Sequence, residues 1–446
     1  MPSGTRKIRF SFEESHITHY GGMWLIQRFC NKLRLRWLLQ KRLKFLGRGG
    51  EYHPADLVLA LMFAIIMGVR RINKTTILQY NGTFLDMLGL KEFPDQSTLR
   101  RFLKRLAPKT IRQLVRLHDS LRGHLFHLHR KRTTLIFDLD STVIIIYGRA
   151  EGARIGYNPK KPGRRSYHPL LCYEAHFHEF WHGSLRPGNT VALTGAVPFI
   201  NICLLKVPAA VARSRIRFRM DSGFYSHRVI EALEASGCGF VMVAKEYKPI
   251  KARAAACRFR KLRIGWEVGE FWEKVHRHAS KRSRFVVVRR PIPPDPEEAK
   301  QLTLFKDQKF AYHVFVTNLP LSPWRVYRFY SPRATIEKNI RELVYDYPLA
   351  HVPTDTWTAN VAFFQLTLFA ANVVHWFKRF CLPSAYLGTT LETIRSDFLN
   401  LPARLVREHK QNVVKLPRDF HYRREFQDAA RRVEAWRMPP NFRFCK

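Results

Sequence analysis

Apolar residues are spaced in two different ways along this chain, and the change of spacing divides it into regions. Up to about Arg132 they recur at helical intervals. Pro54 stands where a first helical turn tolerates proline, and the apolar run behind it predicts a buried helix reaching Gly68. A second helix is predicted over Lys74 to Leu88. Phe93-Pro94-Asp95-Gln96-Ser97 then supplies a stop and a fresh cap, and Leu99, Phe102, Leu103 and Leu106 form the apolar stripe of a third helix. Arg100, Arg101, Lys104 and Arg105 fall mostly on its other face, and Pro108 ends it. A short helix, a turn and a basic amphipathic helix fit a helix-turn-helix that reads DNA; they also fit an ordinary surface helix of a basic protein.

Beyond this helical region the spacing shortens. Thr134 to Ile146, Tyr167 to Phe177, Arg215 to Met220 and Phe240 to Ala244 read as strands, and Ser226 to Ser236 as a helix ending at Gly237. Mixed strands and helices predict an α/β core. From Lys245 to Val326 the pattern is mainly β, with strands at Arg284 to Arg290 and Tyr312 to Thr317 around the turn PIPPDPEE. An apolar helix from Trp357 to Phe380, a strand-like stretch from Ala403 to Leu416 and a basic helix near Arg423 to Trp436 complete the chain. The predicted layout is a helical, DNA-binding region over 1–132, an α/β core over 133–244 and 327–350, a mainly β insertion over 245–326, and a helical C-terminal region over 351–446.

Charge narrows the function. Lys and Arg number 77 against 35 Asp and Glu, a formal excess of +42 over 446 residues, spread along the whole chain. Such a chain repels itself when compact and calls for a polyanion; nucleic acid is the leading candidate because phosphate contacts release condensed counterions, with a solubility surface or an anionic membrane as the alternative. The 46% apolar content excludes a disordered basic tail. The run Leu57 to Val69 is too short to span a bilayer, and Val361 to Phe377 is interrupted by Gln365, Thr367, Asn372 and His375, so no membrane partner is expected. The N-terminus shows no apolar signal region, and seven scattered cysteines without a CxxC pair suggest neither disulfides nor structural zinc, which fits the cytoplasm.

In so basic a chain, acidic residues inside apolar elements stand out. Strand alternation places Asp138 and Asp140 on one face of Leu135-Ile136-Phe137-Asp138-Leu139-Asp140. Two like charges there call for a cation, and oxygen ligands suit Mg2+ or Mn2+; a strand-end cap or a solvent-facing pair is the alternative. Asp221 ends the strand that carries Ile216, Phe218 and Met220, where open α/β sheets place functional groups or simply cap the next helix. Ser331 and Pro332 read as N-cap and first residue of a helix with Ile336, Ile340, Leu343 and Tyr347 buried. Glu337 borders that stripe, with Arg333 and Arg341 at i±4, an arrangement that also serves as a surface ion-pair ladder. Taken together, Asp140, Asp221 and Glu337, with Asp138 as a possible addition, are a set able to hold two metal ions about 4 Å apart for phosphodiester chemistry.

At these residues the chain resembles a known family. Asp140-Ser-Thr, Asp221-Ser-Gly-Phe-Tyr-Ser and Tyr330-x2-Arg333-x3-Glu337 are similar to the signature segments of DDE insertion-sequence transposases, group 1 of that domain, within the set that carries a large insertion before the glutamate. Gly156 to Gly163, Ser166 to Leu170 and Leu185 to Asn189 resemble family text after the first aspartate, and the likeness extends to Pro94 to Leu103 and Trp357 to Asn372. The resemblance implies an RNase H-like catalytic core, Asp140 ahead of Asp138 as first catalytic carboxylate, and two Mg2+ or Mn2+ ions per site. It further implies phosphate contacts by Tyr330 and Arg333, and binding of element ends and target DNA by a homodimer or higher oligomer at the bacterial nucleoid. Related enzymes carry a lysine seven residues after the glutamate, where this chain has Val344, which leaves a hairpin pathway in doubt.

Other clusters compete for attention. His176, His178 and His182 in HFHEFWH, beside Glu174 and Glu179, fit a zinc site, an edge strand or a DNA-facing surface. Trp266, Trp272 and Trp324 fit base stacking or core packing. No GxxxxGK[ST] loop occurs, so ATP use is not indicated. The expectation is a transposase; the alternatives are a DNA-binding protein without catalysis and a nuclease that never transfers a strand.

Overall fold

The computed structural model describes residues 10–439 apart from 14–15, 46–50, 82–83, 86–88, 90–91, 127–133, 160, 246, 263–264, 293–309 and 410. The N-terminal region is built on helices α1 (Met23–Lys32), α2 (Leu35–Arg42), α3 (Pro54–Met67), α4 (Gln96–Arg105) and α5 (Pro108–Phe126). The His53 ring accepts from the Ala55 N–H at the start of α3, Pro54 sits in its first turn, and Gly68 closes it at φ 88°. The Asp95 carboxylate accepts from Ser97 N–H at 2.7 Å and caps α4, which buries Leu99, Phe102 and Leu103 and exposes Arg101, Lys104 and Arg105.

Two expectations fail here for local reasons. The first part of the helix predicted over Lys74 to Leu88 is a 3-10 segment, Ile72–Leu78, while Phe84 and Leu85 are α-helical; positions 82–83 and 86–88 lie outside the described residues. Thr75 and Thr76 bond back to the carbonyls of Ile72 and Asn73, offering the backbone an alternative to α-helical pairing. Pro108 does not end α4, which stops at Arg105; it opens α5 as a first-turn proline. The expected boundary at Arg132 and most of the PIPPDPEE turn also fall outside the described residues.

A nine-stranded mixed sheet organises the middle of the chain. Its strands are β1 (Leu135–Ser141), β2 (Leu170–Glu174), β3 (Glu179–Ser184), β4 (Ile216–Met220), β5 (Gly239–Val243), β6 (Arg260–Lys261), β7 (Glu267–Glu273), β8 (Ser283–Pro291) and β9 (Phe310–Thr317). In space they run β6-β7-β8-β9-β5-β4-β1-β2-β3. β1, β4 and β5 are parallel neighbours, and antiparallel strands extend the sheet on both sides. The stretch expected to be a β insertion therefore continues the same sheet through β9 and also contains α8 (Lys248–Ala255). Leu135, Phe137 and Leu139 of β1 face one core with Phe218 and Met220 of β4; α6 (Ala196–Leu205) and α7 (His227–Ala235) cover it. The opposite face carries Asp138, Arg219 and the residues level with them, beneath α9 (Pro323–Tyr330) and α10 (Ala334–Tyr345).

The predicted apolar helix is α11 (Trp357–Cys381), which is buried against α1, α3, α4, α5, β3 and α12 (Arg423–Ala435). It is long and apolar enough to cross a membrane, yet 83% of its most apolar stretch is buried within the protein. Its polar interruptions have specific partners. Asn372 accepts from Phe180 N–H at 2.8 Å and donates to Phe180 O at 2.9 Å, and Gln365 donates to Gly183 O at 2.9 Å. These side chains pair backbone groups of β3, the edge strand, where the ladder is interrupted by a bulge at Cys172/Tyr173. Asn372→Leu is expected to lower stability by about 2–4 kcal/mol, because both Phe180 backbone groups become buried without partners. Urea unfolding measures this, and an unchanged midpoint would show that the edge needs no cover from α11.

Candidate active site

Strand register brings the first two carboxylates together. β1 and β4 pair in parallel from Leu135↔Ile216 to Leu139↔Met220, so the next residues on each strand are Asp140 and Asp221. Both lie at the same end of the sheet. Asp140 accepts from Ser141 N–H at 2.8 Å, and the Ser141 hydroxyl lies 3.1 Å from His168 Nε2. Asp221 accepts from Gly223 N–H at 2.9 Å, and a Cβ at position 223 would lie 3.0 Å from the same carboxylate oxygen. The glycine thus keeps the turn after β4 close to its aspartate.

Arg333 ties this pair to the third carboxylate. Its Nη2 lies 3.4 Å from Asp140 Oδ2 and 3.7 Å from Asp221 Oδ2, and donates to Leu139 O at 3.3 Å. Its Nη1 donates to Glu337 Oε1 at 3.4 Å, one helical turn along. Burial works against the guanidinium charge, but Tyr330, Asp140, Asp221 and Asp138 around it raise its pKa above the ordinary arginine value. Burial likewise pushes the Asp140 carboxyl up, to about 6; Arg333 opposes the shift, and Asp221 and Glu337 add to it. Asp140 is 15% exposed, Asp221 41% and Glu337 61%, so the cluster opens from the sheet toward solvent.

Asp138 lies apart from this group. Arg219, directly opposite it on β4, donates Nε and Nη2 to its two carboxylate oxygens at 2.6 Å each, both side chains being buried. Its role as a further metal ligand is therefore not supported: both oxygens are already engaged. Arg219 also donates to Phe329 O at 3.0 Å and anchors the end of α9 over the sheet. Sequence reasoning passed over Arg219, although strand alternation alone puts it on the face of Asp221.

The start of the glutamate helix differs from expectation. Ser331 is no N-cap; its backbone is helical, and its hydroxyl donates to Tyr327 O at 2.8 Å. α9 begins at Pro323 and runs through a 3-10 turn, Ser331–Arg333, into α10. That continuity places Tyr330 and Arg333 above the strand ends. Tyr330 packs its ring 4.9 Å from Phe315, and burial pushes its hydroxyl pKa to about 12. Arg341 is exposed and, among the described residues, forms no ion pair with Glu337.

The competing clusters disperse. His182 stacks on Phe199 and lies 3.2 Å from Lys206 Nζ, His178 is half-buried in the β2–β3 turn, and His176 is exposed. Glu174 instead holds that turn, accepting from Ile136 and Phe177 N–H. Trp266 and Trp324 pack around Tyr327, whereas Trp272 is exposed. Among the described residues no three His, Cys, Asp or Glu side chains sit together as a ready metal cluster. The three candidate carboxylates surround a guanidinium. Carboxylate oxygens are nevertheless the donor type that a hard divalent ion takes.

The pattern of the family described as "Transposase DDE domain group 1" matches residues 1–438. No match is found among curated proteins. Among solved structures, a cryo-EM structure of a piggyBac transposase synaptic complex with hairpin DNA aligns over 85% of this chain and 85% of its own, at 11% identity and a TM-score of 0.40. A Mos1 transposase paired-end complex with left transposon end aligns over 43% of this chain and 59% of its own, at 13% identity and a TM-score of 0.17.

Removing the central cation tests the electrostatics directly. Arg333→Met is expected to lower stability by about 1–3 kcal/mol in chelator at neutral pH, by leaving Asp140 and Asp221 uncompensated in a site that solvent partly screens. Burial holds the Asp140 carboxyl up, to about 6, even with Arg333 in place, and loss of the guanidinium raises it further, so the deficit is expected to shrink as pH falls toward that value and the carboxyl takes a proton. Denaturant titrations at pH 5 and 8 measure both effects; equal stability of variant and wild type at pH 8 would refute the counter-ion role.

Proposed function

The chain belongs to the transposase DDE domain group 1 family, and from that premise we propose that it cuts and joins DNA at the cluster of Asp140, Asp221 and Glu337. The observation that carries this reading is the convergence of those three carboxylates on the Arg333 guanidinium, from segments that are far apart in sequence. Strands β1 to β5, with three parallel neighbours and an antiparallel pair on one side, are read as the RNase H-like core. Asp140 and Asp221 hold the divalent ions, Mg2+ or Mn2+, and Glu337 completes the set from the exposed rim. When bound, such ions supply activation of the attacking oxygen and charge stabilisation on the leaving one.

The protein's own groups act around that chemistry. Arg333 presents a planar fork of donors of the kind that matches phosphate oxygens, and Tyr330 keeps its phenol proton at any working pH. Both stand beside the carboxylates, so a phosphate bound there is oriented against Asp140 and Asp221. Arg341 stands exposed two helical turns beyond Arg333, where it extends the phosphate contacts along α10. Val344 is half-buried and offers no charge, so no step is assigned to it. The proposed substrates are the ends of an insertion sequence and a target duplex, brought together by a homodimer or higher oligomer, with the basic face of α4 (Arg100, Arg101, Lys104, Arg105) as one DNA contact.

Nicking and strand transfer on duplexes carrying the DNA that flanks the protein's own coding sequence test this reading. Asp140→Asn, Asp221→Asn and Glu337→Gln are each expected to reduce nicking by roughly a thousandfold while leaving DNA binding in place, as for groups that act in the transition state. Wild-type protein that binds these duplexes but never nicks them in Mg2+ or Mn2+ would sink the enzyme assignment. Nicking without joining to a plasmid would mark a nuclease.

A further inference from the structure

A basic groove lies where the helical N-terminal region meets the segment that follows Asp140. Two adjoining cavities of about 330 Å³ and about 400 Å³ share Arg100, Ile146, Tyr147, Val352 and Pro353 in their walls. Arg70 and Arg71, just beyond α3, line one end, and Arg149 lines the other. Arg70, Arg71, Tyr147 and Arg149 are exposed, and Arg100 is half-buried. Among the described residues none of these four arginines forms an ion pair. The one acidic residue in the lining, Asp355, is neutralised by Lys104 at 2.6 Å. Exposed arginines converging on a concave surface without counter-charge repel one another unless an anion sits between them.

The position of the groove identifies that anion. The short strand Ile144–Ile145 leads from Asp140 to Tyr147, and Ile145 is five residues from the aspartate. A chain that short spans at most about 18 Å. At about 3.4 Å per phosphate along one strand, this is roughly five phosphates of duplex. A duplex with one phosphate at the Asp140 cluster has further phosphates within that reach. We propose that the groove is a phosphate track for duplex DNA flanking the reacting bond, with Arg70, Arg71, Arg100 and Arg149 contacting the backbone and Tyr147 lining its floor. This inference rests on the transposase reading. It also divides the basic face of α4: Arg100 and Lys104, four residues apart, belong to the groove, whereas Arg101 and Arg105 lie a quarter turn away. The contact is to backbone, not base edges, so it is indifferent to sequence.

The triple variant Arg70→Gln/Arg71→Gln/Arg149→Gln tests the track, since all three side chains are exposed and outside the Asp140 cluster. Binding to a 30-bp random-sequence duplex is followed by fluorescence anisotropy between about 50 and 300 mM salt. The plot of log affinity against log salt is expected to become shallower by about 2–3, near 0.9 for each lost phosphate contact, and by the same amount on a second, unrelated duplex. The corresponding Arg→Lys triple is expected to keep the wild-type slope. Should the Gln triple not fold, as judged by its thermal melt, Arg149→Gln alone is expected to lower the slope by about 1. A wild-type slope in the Gln variants overturns the inference while leaving the transposase reading intact. A slope change seen only with RNA of equal length overturns the commitment to DNA. Failure of the wild-type protein to bind any duplex overturns both.

Discussion

Three carboxylates cannot share a small, partly buried volume without a positive charge among them, and in this protein the charge is the Arg333 guanidinium. Much of the surrounding architecture serves that one contact. The parallel register of β1 and β4 sets Asp140 level with Asp221. The unbroken run from α9 through the 3-10 turn into α10 carries Arg333 over the strand ends, and Glu337 follows one turn later. Arg219 performs a separate task on the same face: it takes both oxygens of Asp138 and, through Phe329 O, holds the end of α9 down. Two arginines therefore divide four acids, one closing a structural pair and the other holding an open cluster.

The two arrangements differ in what they permit. Asp138 and Arg219 are buried and bidentate, so exchanging the guanidinium for another cation means burying an ion that does not reproduce the paired hydrogen bonds. Arg333 instead meets Asp140, Asp221 and Glu337 at 3.4–3.7 Å, longer than an ordinary charged hydrogen bond, and two of those acids are well exposed. Loose geometry and access to water make this cluster the one where a different cation, or a phosphate for the arginine, competes at modest cost. Function is assigned to the looser site for that reason.

Much of this was legible beforehand. Strand alternation put Asp138 and Asp140 on one face, and the position of Asp221 at a strand end marked it out. What one-dimensional spacing lacked was register. Nothing local says that Asp138 faces Arg219 across an 81-residue gap, so the choice between Asp138 and Asp140 needed either the family likeness or the sheet itself. Ser331-Pro332 misled because both residues favour a helix start, yet a preceding helix already fixes Ser331 in helical backbone, and its hydroxyl bonds backward to Tyr327. The histidines of HFHEFWH promised a site because they alternate; the β2–β3 turn and the bulge beside it send them to different neighbours. The polar interruptions of α11 looked like weaknesses in an apolar helix and proved to be the partners of an edge strand.

Scarcity of acid links these observations to the whole chain. With 77 basic residues against 35 acidic ones, acids are too few to pair every base, and the buried pairs mark places where the fold needs them. Asp119 serves Arg122 and Lys206, Asp138 serves Arg219, and Glu267 serves Arg289, each within the packed interior or near it. The excess positive charge faces solvent or an external polyanion, and salt screens its self-repulsion only beyond about 10 Å. With acids this few, divided among buried pairs, surface pairs and one open cluster, the chain keeps a large positive excess. A polyanion supplies the counter-charge that such a surface lacks, which is the partner expected of a chain this basic.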